Sequence, residues 1–316
     1  MSEKISIIGT GLVGRSWSIV FARAGFEVWM FDPIDSIVEN AIKLIEEGLP
    51  NLFEEGLLGN EGPDVLRARL HKADSLQDAL DGAIHAQESA PESIDVKQKL
   101  YLDLDKKASK ETVLASSTSG IAPSVFVESL EGRHRCLVAH PINPPHIVPL
   151  VEIVPSPWTD DDVIEKTQFL MKHVQQEPIK LNYELKGFVA NRLQGAILSE
   201  AFRLVEDGVY SVNDIDTAIS KGLGLRWSFM GPFETIDLNS STGVRGYCKM
   251  LGQLYYELGQ EQANPRVWNE ELVTKIENQR RSKLTEENLG NRQKWRDQRL
   301  AMLVSAKKQA DDKLGK

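Results

Sequence analysis

A glycine-rich hexapeptide near the start of the chain most constrains its fold. Gly9-Thr10-Gly11-Leu12-Val13-Gly14 has the pattern G-x-G-x-x-G, and it lies between an apolar run, Lys4–Ile8, and a helix predicted over Arg15–Ala24. In a strand–turn–helix unit the first glycine permits the tight turn, the second lets the backbone approach a pyrophosphate, and the third allows close packing of helix on strand. The N–H groups at the helix start carry a partial positive charge that attracts phosphate. The segment therefore predicts dinucleotide binding at the opening of an α/β fold.

An aspartate follows the second apolar run of the chain. The run Val28–Phe31 predicts a strand, and Asp32 comes directly after it. It lies about twenty residues beyond the glycines, where a carboxylate accepts hydrogen bonds from the adenosine ribose and repels a 2′-phosphate. The alternative is a glycine-rich turn with an unrelated surface aspartate, but strand, turn, helix and acid are all in register. The sequence therefore predicts NAD as cofactor, bound by Gly9, Gly11, Leu12, Val13, Gly14 and Asp32.

Strands and helices alternate through the first half of the chain. Charged outer faces predict helices over Ser36–Glu47 and Asp64–Leu70, and an amphipathic helix is expected over Val96–Lys107. Short apolar runs predict three more strands, at Ala83–Gln87, Val113–Ala115 and Cys136–Ala139. Such alternation favours a mostly parallel sheet with helices on both faces. We therefore expect an α/β protein whose N-terminal part is a Rossmann-type doubly wound sheet.

The pattern changes near Lys186, beyond which the sequence predicts helices. They are expected at Phe188–Glu206, Val212–Lys221, Gly231–Leu251 and Arg266–Arg281. The last stretch, Leu284–Lys316, is charged and helix-prone, and it predicts either a solvated terminal helix or a helix that packs on another subunit. The chain is thus expected to divide into a NAD-binding Rossmann domain, residues 1–186, and an all-α C-terminal domain, residues 187–316.

Composition argues against several classes of protein. The formal net charge of −9 disfavours a nucleic-acid binder, because little basic surface is available to neutralise phosphates. The two cysteines, Cys136 and Cys248, have neither metal-ligand spacing nor a disulfide framework, so no metal site is predicted. The N-terminus lacks a signal-peptide pattern, and no apolar run reaches the roughly 18–20 residues of a membrane span. We expect a cytoplasmic protein that binds neither nucleic acid nor membrane.

His140 and Glu152 are the leading candidates for catalysis. His140 follows the predicted strand Cys136–Ala139, and residues at the carboxyl ends of sheet strands face the ligand crevice. Glu152 lies in the apolar run Leu150–Val154, where a carboxylate is costly to bury without a partner. A glutamate beside the histidine would raise the histidine pKa and fix its tautomer, which gives a base for alcohol oxidation. The alternatives are a loop histidine with ordinary hydrogen bonds and an outward-facing glutamate.

Two further polar segments are candidates for substrate contacts. The run Ala115-Ser116-Ser117-Thr118-Ser119 ends another predicted strand. Its hydroxyls could orient a substrate oxygen or the nicotinamide amide, and the alternative is a polar turn without a ligand. Asn191 lies near the start of an apolar helix, where its amide either ties two helices together or donates to the substrate. The residues alone leave both questions open.

Six motifs occur in order along the chain. They are the glycine loop, Asp32, the turn Ser116–Ser119, the segments His140–Pro144 and Val151–Val154, and the segment Gly187–Arg192. Together they resemble the 3-hydroxyacyl-CoA dehydrogenase superfamily over nearly the whole chain. The sequence is more similar to the lambda-crystallin / L-gulonate 3-dehydrogenase branch of that superfamily, in the segments Gly222–Trp227, Phe229–Pro232 and Arg292–Asp297.

The resemblance implies roles for individual residues. His140 and Glu152 match the family's catalytic histidine and its paired glutamate. Ser119 and Asn191 match residues that hydrogen-bond the substrate around the reacting carbon, and Asn143 matches an asparagine of the same active-site loop.

Other implications concern the cofactor and the assembly. Glu92 and Lys97 match positions on the cofactor side of the family's site. Family members form homodimers through the helical domain, so residues 187–316 are expected to serve substrate binding and dimerisation.

Two departures from the fatty-acyl branch bear on the substrate. That branch usually has asparagine where this chain has Ser117, and a Pro-Met-Gly-Pro-Phe pattern where this chain has Leu225–Phe233. Arg226 lies in the second segment, and its planar, permanently charged group suits a bidentate grip on a free carboxylate. The alternative is an ordinary surface arginine. We therefore expect NAD-dependent oxidation of the 3-hydroxyl of a small free 3-hydroxy acid, with L-gulonate as the best single choice.

Other functions stay open at this stage. Oxidation of a 3-hydroxyacyl-CoA would need a basic site for the CoA phosphates, for which the first half offers His71-Lys72 and Lys106-Lys107. A carnitine-like hydroxy acid would favour an aromatic cage around its quaternary ammonium, and Trp227 and Phe229 are available for one. The non-enzymatic alternative is a structural, crystallin-like protein that binds NAD without turnover.

Overall fold

The computed structural model describes residues 3–59 and 61–315, which form two compact units. One unit comprises the residues up to Asn191 together with those from Trp295 onward, and the other comprises Arg192–Lys294. The expected domain boundary after residue 186 stays a prediction. Within the described ranges, no helix is long and apolar enough to cross a membrane. Nor do those ranges hold a cluster of three histidine, cysteine or acidic side chains that could bind a metal ion.

The first unit is built on one sheet. Its strands are β1 (Lys4–Ile8), β2 (Glu27–Phe31), β3 (Leu70–Lys72), β4 (Ala83–Glu88), β5 (Val113–Ser116), β6 (Cys136–Pro141), β7 (Leu150–Pro155) and β8 (Glu177–Lys180). They lie in the order β3-β2-β1-β4-β5-β6-β7-β8, and every neighbouring pair is parallel except β6 and β7. The chain order reverses between β1 and β4, and open sheets of this kind bind ligands at that switch point, beyond the carboxyl ends of the strands.

Helices flank the sheet and make up most of the second unit. They are α1 (Leu12–Arg23), α2 (Asp35–Glu54), α3 (Pro63–Ala68), α4 (Leu76–Leu80), α5 (Ile94–Lys107), α6 (Ser124–Val127), α7 (Asp161–His173), α8 (Ala190–Glu206), α9 (Val212–Thr217), α10 (Gly224–Trp227), α11 (Pro232–Leu238), α12 (Gly243–Glu261), α13 (Glu270–Arg281) and α14 (Leu289–Leu314).

Two buried apolar clusters lie on opposite faces of the sheet. Ile7 belongs to the cluster that includes side chains of α1, α2 and α7, whereas its neighbour Ile8 belongs to the cluster that includes side chains of α4, α5 and α6. Successive residues of a strand point to opposite faces, so both faces of β1 are covered. The predicted Rossmann-type doubly wound sheet followed by a helical region is confirmed.

In the first unit, the structure shortens the helix expected over Asp64–Leu70 and adds several elements that were not predicted. The helix expected over Asp64–Leu70 ends at Ala68, because Leu70 begins the three-residue strand β3 and is buried beside β2. The patterns above predict none of α4, α6, α7 and β8. The strand β8 reads Glu-Pro-Ile-Lys at the edge of the sheet, and so short and charged a segment has no apolar alternation to mark it.

The helices of the second unit also differ from their expected bounds. The segment Gly231–Leu251 contains two helices, α11 and α12, because the polar turn at residues 239–242 interrupts it. The helix expected over Val212–Lys221 is α-helical only to Thr217 and continues as a π-helical turn over Ala218–Leu223. The helix expected from Arg266 begins at Glu270, where the Asn269 side chain accepts a hydrogen bond from the Leu272 N–H at 2.9 Å.

The last helix, α14, belongs to the first unit from Trp295 onward and packs within it. Ala301 is buried in the apolar cluster that contains Ile7, and Leu300 and Val304 pack against the same cluster. Part of the apolar face of the tail is therefore covered within its own chain, while most of the helix is exposed. Packing of the tail on another subunit stays a prediction.

Candidate active site

The glycine loop joins β1 to α1 at the switch point of the sheet. Gly9 has a φ of +87°, and a Cβ at this residue would lie 2.8 Å from the carbonyl carbon of Ser89. A Cβ on Gly14 would lie 1.9 Å from the Gly9 carbonyl oxygen, whereas one on Gly11 would meet nothing within 4 Å. The packing of the protein itself thus requires Gly9 and Gly14. The open space beside Gly11 fits the close approach of a pyrophosphate.

The start of α1 offers hydrogen-bond donors to that space. The N–H of Arg15 is the one that donates to the carbonyl of Gly11, at 2.9 Å. The N–H groups of Leu12, Val13 and Gly14 precede it, so they have no carbonyl of the helix to donate to. Together with the partial positive charge of the helix start, these donors fit a phosphate group.

Asp32 is tied to the glycine loop. Its Oδ2 accepts a hydrogen bond from the N–H of Thr10 at 3.2 Å, and its Oδ1 accepts one from the N–H of Ile34 at 3.2 Å. The residue is half-buried at the end of β2. Because an ionised carboxylate has about four acceptor positions, Asp32 can hold the loop and still accept from ribose hydroxyls.

The pairing of β6 with β7 brings His140 and Glu152 together. The two residues face each other in the antiparallel register, and the histidine Nδ1 lies 2.7 Å from Oε2 of the glutamate. His140 is 5% exposed and Glu152 is fully buried. A carboxylate only accepts hydrogen bonds, so Nδ1 of His140 carries the proton between the two side chains. The orientation of the ring is thus fixed by a buried acid, an arrangement that suits a general base.

Glu152 is held in its charged form. Burial, the largest influence, acts to raise its pKa, but hydrogen bonds from His140 and from the N–H groups of Ala190 and Val189 outweigh burial and keep the pKa below its usual range. Oε1 of Glu152 accepts these two backbone N–H groups at 2.7 Å from Val189 and 3.0 Å from Ala190. The carboxylate therefore also satisfies donors at the start of α8.

The turn before α8 makes those donors available, and it corrects the helix expected over Phe188–Glu206, which begins only at Ala190. Gly187 and Phe188 have φ values of +77° and +50°, and a phenylalanine in the left-handed region is uncommon. The Phe188 side chain is fully buried, with its ring centroid 5.5 Å from that of His140. Packing of this ring holds the turn that aims the Val189 and Ala190 N–H groups at Glu152. Gly187 before a large apolar residue was the one signal in the sequence.

The serine turn after β5 is organised by Glu92. Oε1 of Glu92 accepts hydrogen bonds from Thr118 Oγ1 at 2.6 Å, the Ser119 N–H at 3.0 Å and the Gly120 N–H at 3.3 Å. The Ser119 Oγ also donates to this Glu92 oxygen, at 3.2 Å, and Ser119 itself is exposed. These contacts fix the position at which the Ser119 hydroxyl is presented.

Lys97 is enclosed between acidic side chains. Its Nζ lies 2.9 and 3.0 Å from the two oxygens of Glu88 and 3.8 Å from Oε2 of Glu92. The side chain is 1% exposed. The placement of Glu92 and Lys97 beside the serine turn agrees with a position near the cofactor, and direct contact with NAD stays a prediction for both.

Two asparagines lie at or near the same edge. The amide of Asn191 donates to the backbone carbonyl of Ser119, so the structure brings these two predicted substrate contacts together. Asn143 is exposed in the loop after β6, directly before the cis peptide bond to Pro144.

Arg226 lies in the second unit. It lines a cavity of about 310 Å³ together with Trp227, Tyr247 and Tyr255. The hydroxyl groups of the two tyrosines are 2.9 Å apart. Arg226 is half-buried and makes no ion pair with any residue in the described ranges. The side chain therefore keeps its charge and its donors for a ligand. Its role stays a prediction.

Comparison with protein families gives two adjacent matches. Residues 4–184 match the model for the NAD-binding domain of 3-hydroxyacyl-CoA dehydrogenase, and residues 187–285 match the model for the C-terminal domain of the same enzyme. The first match contains the whole glycine loop, His140 and Glu152. The second begins at the turn that precedes α8.

Individual relatives give a consistent result. A lambda-crystallin homolog of Rattus norvegicus is 38% identical over 308 residues, with 96% of each chain covered. An L-carnitine dehydrogenase of Oceanobacillus iheyensis is 36% identical over 251 residues, with 79% of this chain and 80% of that protein covered. Among solved structures, 5-formyl-3-hydroxy-2-methylpyridine 4-carboxylic acid 5-dehydrogenase, an NAD+-dependent dismutase, has a TM-score of 0.82 at 25% identity, and the match covers 97% of this chain and 98% of that one.

Proposed function

Because the chain belongs to the 3-hydroxyacyl-CoA dehydrogenase family and uses NAD as its cofactor, we propose that it oxidises the 3-hydroxyl of a free 3-hydroxy acid. The preferred substrate is L-gulonate, which would give 3-dehydro-L-gulonate. One observation carries the proposal, namely the buried hydrogen bond of 2.7 Å between His140 Nδ1 and Glu152 Oε2. It leaves the opposite ring nitrogen as a base at the carboxyl edge of the sheet.

His140 is the proposed catalytic base. Its Nε2 takes the proton of the substrate hydroxyl, and the ring becomes an imidazolium. NAD supplies the acceptor for the hydride that leaves the carbinol carbon, so that alcohol and NAD+ give ketone, NADH and a proton. Glu152 stabilises the imidazolium through Nδ1, and because its charge is fixed before the reaction, little reorganisation is needed.

Ser119, Asn191 and Asn143 are the proposed substrate-binding residues of the first unit. The Asn191 amide donates to the backbone carbonyl of Ser119, which places the two residues side by side. The second N–H of the Asn191 amide can donate to the substrate oxygen as it changes from hydroxyl to carbonyl, and the Ser119 hydroxyl, which donates to Glu92, can accept from the substrate hydroxyl. Glu92 keeps the serine turn in place during this change.

A panel of substrates tests the proposal. NADH formation at 340 nm is measured with L-gulonate, 3-hydroxybutyrate, carnitine and 3-hydroxybutyryl-CoA, and kcat/KM is expected to be highest for a free hydroxy acid. Products are analysed quickly, since a 3-keto acid loses CO2. Preference for the CoA ester would refute the proposed substrate class, and NADH binding without turnover of any compound would point to a structural protein.

Carnitine is the second candidate substrate. The similarity to L-carnitine dehydrogenase and the exposed aromatic rings of Trp227 and Phe229 favour it. Carnitine is also a free 3-hydroxy acid, so the chemistry at His140 is the same. The two candidates differ in the quaternary ammonium group, and the panel separates them.

Replacing Arg226 with methionine is expected to raise KM for free hydroxy acids by about 10- to 100-fold, because a charge-assisted hydrogen bond to the carboxylate is lost. The KM of the methyl ester of 3-hydroxybutyrate should not change, since the ester lacks the charge. Arg226→Lys should recover part of the affinity, and Arg245→Met, which removes an exposed arginine of α12, is the matched control. An unchanged KM in a folded Arg226→Met protein would remove the assignment.

A homodimer formed through the helical region is the proposed assembly, in the cytoplasm. The second unit exposes large apolar side chains, including Phe233 at 78%, Leu238 at 69% and Met250 at 63%. Exposed apolar surface of this kind is typical of interaction sites. Sedimentation velocity at micromolar concentration is expected to give the mass of two chains, and Phe233→Glu should shift it toward one. A monomer in the unmodified protein would contradict the proposal.

A further inference from the structure

A chain of hydrogen bonds runs along the sheet from β4 to the glycine loop. It joins the side chains of His85, Gln87, Ser117 and Ser89, through distances of 3.0 Å, 2.7 Å and 3.0 Å. His85 and Gln87 are buried, whereas Ser89 is half-buried. None of these four residues has a part in the chemistry at His140.

The orientation of the Gln87 amide is fixed by a backbone carbonyl. Its Nε2 lies 3.2 Å from the carbonyl oxygen of Ala139, which can only accept, so this atom is the nitrogen and Oε1 faces His85. The His85 Nε2 therefore carries a proton and donates to Gln87. Burial lowers the pKa of His85 to about 4, so its ring is neutral at pH 7 and the chain has one fixed direction.

The direction of the Ser117 hydroxyl follows by elimination. Its Oγ accepts from Nε2 of Gln87 at 2.7 Å and from Nε1 of Trp17 at 3.1 Å, and both of these groups only donate. With its two lone pairs occupied, Ser117 must donate its own proton, and Ser89 Oγ is the remaining neighbour, at 3.0 Å. Ser89 therefore accepts, and its own hydroxyl proton has no acceptor among the residues in the described ranges.

The position of Ser89 in the fold indicates which part of a bound cofactor its hydroxyl proton can reach. Ser89 follows β4 directly, its N–H donates to the carbonyl of Ile8 at 2.7 Å, and its carbonyl group borders Gly9. Along the edge of the sheet, Asp32 after β2 suits the adenosine ribose and the glycine loop after β1 suits the pyrophosphate. The end of β4 is the next position, and it corresponds to the nicotinamide half of the cofactor.

We propose that Ser89, held as a donor by Ser117 and Gln87, hydrogen-bonds an oxygen of the nicotinamide half of NAD. Ser89 is then a cofactor-binding residue, and Ser117 and Gln87 are positioning residues that act through it. A run of hydrogen bonds with one direction strengthens its terminal donor, because each bond polarises the next. The inference depends on NAD binding and not on the identity of the substrate.

Binding of NADH and of ADP to the purified protein tests the inference. Ser89→Ala is expected to raise the Kd of NADH, measured by fluorescence, by about three- to tenfold, as the loss of one hydrogen bond implies. The Kd of ADP, which lacks the nicotinamide half, should stay unchanged in calorimetry. Ser89→Thr keeps the hydroxyl and should restore NADH binding, and Ser282→Ala removes an exposed hydroxyl of the second unit as the control.

A double-mutant cycle tests the role of Ser117. Ser117→Ala should weaken NADH binding in the otherwise unmodified protein and have no further effect in the Ser89→Ala protein, because it acts through Ser89. Equal effects in both backgrounds would overturn the positioning role. An unchanged NADH Kd in Ser89→Ala, or equal losses for NADH and ADP, would overturn the proposal. If Ser117→Ala does not fold, the two Ser89 variants still decide whether Ser89 contacts the cofactor.

Discussion

Replacement of His140 by glutamine is expected to lower kcat for hydroxy-acid oxidation by about 10²- to 10⁴-fold, which is the usual contribution of a positioned general base. Glutamine has a similar length and still hydrogen-bonds Glu152, but it cannot take a proton from the substrate hydroxyl. The Kd of NADH should change little, because the glycine loop and Asp32 lie on other strands. Stopped-flow absorbance at 340 nm and NADH fluorescence give the two quantities.

His134→Gln is the matched control for this prediction. His134 is exposed, so its loss should leave both kcat and the Kd of NADH unchanged. Substantial turnover by a folded His140→Gln protein would show that another group accepts the proton. A large rise in the NADH Kd would instead show that His140 serves cofactor binding.

Glu152 should affect both catalysis and stability, and two substitutions separate these effects. Glu152→Gln keeps an acceptor for the Val189 and Ala190 N–H groups but removes the charge that stabilises the imidazolium. We expect kcat to fall by about 10²- to 10³-fold, as on loss of other groups that stabilise charge in the transition state. Glu152→Ala leaves buried donors unsatisfied, so it should also lower the free energy of unfolding by at least about 2 kcal/mol.

The stability effect of Glu152 should depend on pH. Because the pKa of Glu152 in the folded protein is below its unfolded value of about 4.5, its contribution is fully present above that pH and is lost as the pH falls through the folded pKa. The difference in unfolding free energy between the unmodified protein and Glu152→Gln should therefore shrink below pH 4.5. Denaturant titrations from pH 7 to pH 3 measure it, and a difference that grows in acid would contradict the assigned charge.

Local sequence patterns were sufficient to predict those elements that are formed by residues close together in sequence. The strand, glycine loop and helix at the start of the chain are continuous in sequence, and the backbone of the loop itself requires a positive φ at Gly9 and the absence of a Cβ at Gly14. Such patterns do not predict β8, a four-residue strand that is largely exposed and begins and ends with a charged residue. They also failed between Ser240 and Gly243, where polar residues end one helix and begin another.

The candidate site was predictable in its members but not in its contacts. His140 and Glu152 were each identifiable from the end of a strand and an acid in an apolar run. The turn of Gly187 and Phe188 was not, because nothing in the periodicity indicates that a phenylalanine adopts a φ of +50° to aim two N–H groups at Glu152. The grip of Glu92 on the serine turn likewise joins residues of two different strand ends.

By itself, the sequence determined a mostly parallel doubly wound sheet that binds NAD at its first turn, with His140 and Glu152 as candidates for its chemistry. These features follow from short-range geometry and from the cost of burying a lone carboxylate. Only the tertiary structure decided that Glu152 contacts the His140 ring, that Lys97 is enclosed by Glu88, and that the hydroxyls of Ser117 and Ser89 lie within hydrogen-bond distance. Such contacts depend on strand register and on side chains far apart in sequence, which no local pattern encodes.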